Sequence, residues 1–106
     1  MTDVRLAITS LASHAEARKL AHTLVEEKLA ACVNILPAAE SVYRWRGAVE
    51  TSHEWILLIK TTEDRLAAVK ARIAELHSYE LPEFLVIAAD NGDAAYLAWL
   101  TESVRG

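Results

Sequence analysis

Ser41-Val-Tyr-Arg-Trp-Arg-Gly-Ala-Val-Glu-Thr-Ser-His-Glu-Trp-Ile-Leu-Leu-Ile-Lys60 decides the reading of this chain, because it forms one long β-hairpin. Arg46-Gly47 supplies the turn, since glycine tolerates the positive φ that two-residue hairpin turns require. That turn sets Trp45 opposite Ala48 and Tyr43 opposite Glu50. Tyr43 and Trp45 are two residues apart, so in a strand they share one face. Followed back through Pro37 to Cys32, the first arm has about fourteen residues and a reach of about 45 Å at ~3.3 Å per residue. A compact chain of this length has a radius of gyration of only about 13 Å. The arm therefore overhangs its own domain, and exposed strand edges carrying Tyr and Trp call for a partner. The first expectation is obligate self-association.

Outward from the hairpin, strands and helices alternate. Val4, Leu6 and Ile8 alternate with Arg5 and Ala7, the pattern of a half-buried first strand. Ser13 and Glu16 form a capping box, after which Ala17, Leu20, Ala21, Leu24 and Val25 recur at helical spacing up to Lys28. Cys32 to Leu36 begins the second strand. Glu54 to Ile59 ends the third in a continuous apolar run, which implies burial on both faces or at an interface. Thr62 is a cap for a second helix whose apolar positions are Leu66, Val69, Ile73 and Leu76. Phe84 to Ala89 is the fourth strand, Asp90-Asn-Gly-Asp93 is a turn, and Asp93 caps a short last helix holding Tyr96, Leu97, Trp99 and Leu100. Two βαβ-type units joined by a hairpin predict an α+β, ferredoxin-like βαββαβ sandwich with an extended β2–β3 hairpin and a C-terminal helix. It spans residues 1–106 as one domain.

Composition bounds the function. The chain has 106 residues, 53% hydrophobic and 25% charged, with a formal net charge of −4, which fits an ordinary globular domain and excludes a disordered one. An acidic balance argues against a nucleic-acid surface. No apolar run approaches the ~20 residues of a membrane span, and Met1-Thr-Asp-Val4 lacks a basic stretch followed by an apolar one. The single cysteine agrees with a reducing compartment, and the expected location is the cytoplasm, with no nucleic-acid or membrane partner.

Four segments are candidates for chemistry. Cys32 is the only thiol and reads first as a small buried hydrophobe; a metal-ligand role for it needs a thiolate and partners. Leu76-His-Ser-Tyr-Glu-Leu-Pro-Glu83 packs an imidazole, a phenol and two carboxylates where a helix ends and a strand begins. His77 there can also simply face the helix C-terminus, but loops on rigid scaffolds often carry function. Lys60 follows Ile56 and Leu58 on one strand face, so its stem is buried and its ammonium must find water, a carboxylate or a ligand anion. Tyr96 and Trp99, at helical spacing, read as packing residues.

In order, Lys28-Leu-Ala-Ala-Cys-Val-Asn-Ile-Leu-Pro37, Ser41-x-Tyr43-x-Trp45-x-Gly47-x-Val-Glu50, Lys60-Thr-Thr62, His77-x-Tyr79-Glu80-x-Pro82-Glu83 and Tyr96-Leu-x-Trp99 resemble the CutA family of divalent-cation tolerance proteins over nearly the whole chain. The resemblance implies a ferredoxin-like subunit in a tight homotrimer, without enzymatic activity, associated with copper tolerance and divalent-metal binding. It also likens the architecture to the PII signalling trimers, whose clefts between subunits bind effectors. Where that family usually has His-Pro-Tyr, this chain has His77-Ser78-Tyr79. Metal-binding members can carry a Cys and a second His where this chain has Thr9 and Leu76, so only His77 of those three is kept.

The expected site is a cleft between subunits assembled from Tyr43, Trp45, Lys60, His77, Tyr79, Glu80 and Glu83, with His77 and Cys32 as candidate ligands for Cu(II) or another divalent metal. In this reading His77, Glu80 and Glu83 approach Tyr43 or Trp45 of a neighbouring subunit. The alternative is a PII-like sensor of a small anion, with Lys60 as its main contact. An acylphosphatase-like enzyme is disfavoured, because Thr9-Ser-Leu-Ala-Ser13 has neither the Gly-rich anion cradle nor the Arg such chemistry needs. An RNA-binding sheet lacks its stacking aromatics.

Overall fold

The computed structural model of the chain describes residues 2–106. Its elements run β1 (Val4–Leu11), α1 (His14–Glu26), β2 (Cys32–Trp45), β3 (Ala48–Thr62), a 3₁₀ turn (Glu63–Arg65), α2 (Leu66–Leu76), β4 (Leu85–Ala88) and α3 (Ala94–Ser103). The four strands form one sheet in the order β2-β3-β1-β4, antiparallel throughout, as the ferredoxin-like reading requires.

Local chemistry accounts for the element ends. Ser13 Oγ accepts the Glu16 amide at 3.2 Å and donates to the Glu16 carboxylate at 3.1 Å, so Ser13 caps α1 while Glu16 takes the Ser13 hydroxyl instead of the backbone amide that a full capping box uses. Asp93 caps α3 by accepting the Tyr96 amide at 3.0 Å. Thr62 differs from expectation: it precedes the 3₁₀ turn, makes no side-chain cap bond and donates instead to Asp64 Oδ1. The hairpin turn has φ of 51° at Arg46 and 84° at Gly47, and its register sets Tyr43 opposite Glu50 and Trp45 opposite Ala48. A bulge between Leu36 and Ala39 places one extra residue in β2, where Ala38 takes a φ of 58°. Pro37 is tolerated there because β2 is an edge strand.

The long arm dominates the shape. The molecule measures 45 × 25 × 23 Å with a radius of gyration of 14.3 Å, and its long axis matches the reach expected of β2. Helices α1 and α2 cover one face of the sheet, where Ala7, Leu11, Leu57 and Ile59 pack with Leu20, Leu24, Val69 and Ile73. This corrects the reading of β1. Its alternation is as expected, but the row in the core is Ala7 and Leu11, whereas Leu6 and Ile8 lie half-buried on the face the two helices leave open. On that side α3 lies near Lys60, and Leu100 and Val104 are buried. Among the described residues, no helix is long and apolar enough to cross a membrane.

Candidate functional site

The open face of the hairpin and the segment leading into β4 enclose a groove of about 940 Å³. Directly paired residues of antiparallel strands point to the same side. The register therefore puts Tyr43 and Trp45 of β2 on one face with Glu50, Ser52 and Glu54 of β3. Pro82 and Phe84 wall the other side, with Tyr79, Glu80 and Glu83 from the same segment. Five of the seven residues expected at the site thus meet within one chain. The meeting was expected across a subunit boundary, and the protomer achieves it alone because the 78–85 segment folds back beside the hairpin. Arg46 at the hairpin tip ties the two walls through its 2.7 Å ion pair with Glu80, although both side chains are largely exposed and the pair contributes little to stability.

Glu54 is the buried charge of the groove, with 8% of its surface exposed. Its Oε2 accepts the Tyr79 hydroxyl at 2.8 Å. Burial, and then this hydrogen bond to an acidic partner, pushes the Tyr79 phenol well above its ordinary value, so Tyr79 stays protonated and donates. Glu83 approaches Ser10 Oγ at 3.4 Å.

His77 stands behind this pair and positions it. Its Nε2 lies 2.5 Å from the Ser10 carbonyl oxygen, and its Nδ1 accepts the Tyr79 amide at 3.1 Å. A carbonyl can only accept, so Nε2 carries the proton, and the neutral tautomer satisfies both contacts. The imidazole also lies 4.7 Å from the Tyr79 ring, tilted by 50°. With both nitrogens engaged, His77 could ligate a metal only by giving up the Tyr79 amide.

Two expected residues lie elsewhere. Lys60 pairs with Leu6 of β1, four residues from the Ser10 that holds His77, or roughly 13 Å along the strand. Its ammonium finds Tyr96 of α3: Nζ is 3.4 Å from the phenol oxygen and 5.8 Å from the ring centre. Cys32 lies directly across from Lys60 at that far end and is partly buried. The structure therefore keeps both Lys60 and Cys32 away from His77. Among the described residues, no three His, Cys, Asp or Glu side chains stand together as a metal site. Glu50 and Glu54 were missed in the sequence. The hairpin register carried the signal, since residues alternating with Glu50 on β3 must share the face of Tyr43 and Trp45.

With this geometry in place, known proteins give a consistent picture. Residues 5–103 match the family described as CutA1 divalent ion tolerance protein. The chain belongs to this family. The divalent-cation tolerance protein CutA of Thermus thermophilus is 43% identical over 96 residues, covering 91% of this chain and 93% of that protein. The chloroplastic protein CutA 1 of Oryza sativa is 44% identical over 88 residues, which are 83% of this chain and 50% of that longer protein. The crystal structure of CutA from Xylella fastidiosa superposes with a TM-score of 0.95 at 38% identity, covering 98% of this chain and 100% of that one. The CutA1 family is named for tolerance of divalent ions and not for a reaction.

Proposed function

We propose that this CutA1-family chain works without enzymatic activity, as a homotrimer in the cytoplasmic response to divalent metal ions, copper among them. The groove between the hairpin and the 78–85 segment holds its metal or small ligand. The observation that carries the assembly is the uncovered side of the sheet. There the edge strand β4 leaves Leu85 59% and Ile87 51% exposed, in register with Ile8 and Leu6, and the β2–β3 arm extends past the end of β1 from the opposite edge of the sheet. An apolar, unpaired edge on a soluble chain is a template for another strand. A neighbouring subunit placed on it also walls the open side of the groove, making it an intersubunit cleft. Because no three metal-binding side chains come together among the described residues of one chain, the proposed metal site is completed across that boundary, with Glu54 and Glu83 offering oxygen ligands.

Sedimentation at micromolar concentration tests the assembly. A trimer is expected, with an unfolding temperature that rises with protein concentration, and a folded monomer removes the basis for the cleft. Titration with Cu(II) tests the ligand. Binding is expected to weaken when Glu83→Gln removes a carboxylate, and binding unaffected by Glu83→Gln and Glu54→Gln would place the metal outside the groove.

A further inference from the structure

The groove is far larger than a bare ion needs and falls in the range of small-molecule pockets. Its charge is one-sided. Glu50, Glu54, Glu80 and Glu83 line it, and no Lys, Arg or His is among its lining residues. Arg46 neutralises Glu80 at the rim. The other three have no ion-pair partner among the described residues, and the nearly buried Glu54 has only the Tyr79 phenol as a donor. A carboxylate withdrawn from water with one neutral donor is under-compensated, and a cation in the groove would relieve it. Among the lining residues of the protomer an anion would meet only like charge.

The spacing of the carboxylates and the nature of the walls narrow the cation. Glu50 and Glu54 lie on the same side of β3, four residues and so roughly 13 Å apart. Rings stand at both ends of that row, Tyr79 hydrogen-bonded to Glu54 and Tyr43 directly across from Glu50, and Phe84 lines the same groove. Two anionic ends, each with an aromatic ring beside it, match a molecule with an ammonium group at either end and methylenes between, since ammonium is attracted to carboxylates and ring faces and the methylenes to an apolar wall such as Phe84. We infer that the groove binds a linear polyamine, one ammonium at Glu54 and Glu83 beside Tyr79 and another at Glu50 beside Tyr43, its chain lying in the groove between them. This rests on reading the groove as the ligand site and names the class of ligand.

Calorimetric titration of the full-length protein with spermidine, alongside tryptophan fluorescence, tests the inference. Binding is expected to change the fluorescence and to weaken about tenfold in Glu54→Gln. It should weaken by a smaller factor in the exposed variant Glu83→Gln, and at high salt. Glu26→Gln on α1, outside the groove, should bind like the parent. Butylamine, with a single ammonium, should bind more weakly than spermidine. Circular dichroism establishes that each variant is folded, and Glu83→Gln keeps the test decisive if Glu54→Gln is not. Three results would overturn the inference: no spermidine binding, equal weakening by Glu26→Gln and the groove variants, or binding that appears only when assembly is broken. The last would mean that a neighbour's side chain fills the groove. Cu(II) run in parallel separates the two readings, because groove-dependent copper binding without spermidine binding would leave the site in place and reject only the polyamine.

Discussion

The two faces of this sheet are built from alternate residues of the same strands, yet they do different work. On one face Ala7, Leu57 and Ile59 are fully buried beneath α1 and α2 and hold the protomer together. On the other, Leu6, Ile8 and Leu58 are only partly covered, and the row continues into exposed Leu85 and Ile87. Apolar content is similar on both sides, so hydrophobicity alone does not separate stabilising positions from contact positions. What separates them is whether the chain itself supplies a cover. The uncovered face is also where Glu54, Tyr79 and the aromatic arm form the groove.

That contrast can be broken most severely from the covered face. Leu57→Ala should cost about 2–5 kcal/mol of stability, because it removes fully buried methyl groups and leaves a cavity. Urea denaturation measures this, and a loss well below that range would mean that the core relaxes around the gap. On the open face, Ile87→Arg should leave the helical and strand content unchanged and weaken self-association by at least about tenfold, or ~1.4 kcal/mol. Sedimentation across a dilution series reads the difference, and unchanged assembly would remove β4 from the interface.

The pair at the back of the groove should give a smaller, pH-dependent effect. Tyr79→Phe leaves buried Glu54 without its donor and should destabilise by about 1 kcal/mol. Because the folded state raises the Tyr79 pKa, its proton is bound more tightly in the folded than in the unfolded chain. The stabilisation is therefore complete below the unfolded-state value near 10 and falls as pH rises beyond it. Melting temperatures of wild type and Tyr79→Phe should accordingly converge above about pH 10, and parallel curves would show that the phenol is not held by Glu54.

The smallest effect belongs to the hairpin tip. Arg46→Asn suits the positive φ of 51° at that position but removes an exposed ion pair, so the net change should stay within about 0.5 kcal/mol. Thermal unfolding checks it, and a larger loss would show that the tie to Glu80 shapes the groove.

Much of this molecule was legible before its structure. The order of elements, the Arg46-Gly47 turn with its register, the Ser13 and Asp93 caps and the family resemblance all rest on signals within a few residues of one another, where dihedral preference and side-chain period act directly. Five of the seven residues named for the site line one groove of the protomer, because they flank a hairpin and the strand that follows it. What the tertiary structure alone decided is which side each strand turns inward and what lies beside what across the sheet. Alternation in β1 names two rows and cannot say which one the helices cover, since that depends on where α1 and α2 pack. The same non-local pairing places Cys32 and Lys60 at the far end from His77, gives Lys60 to Tyr96, and brings Glu54 beneath Tyr79. Those partners are distant in sequence, and only closure of the sheet brings them together.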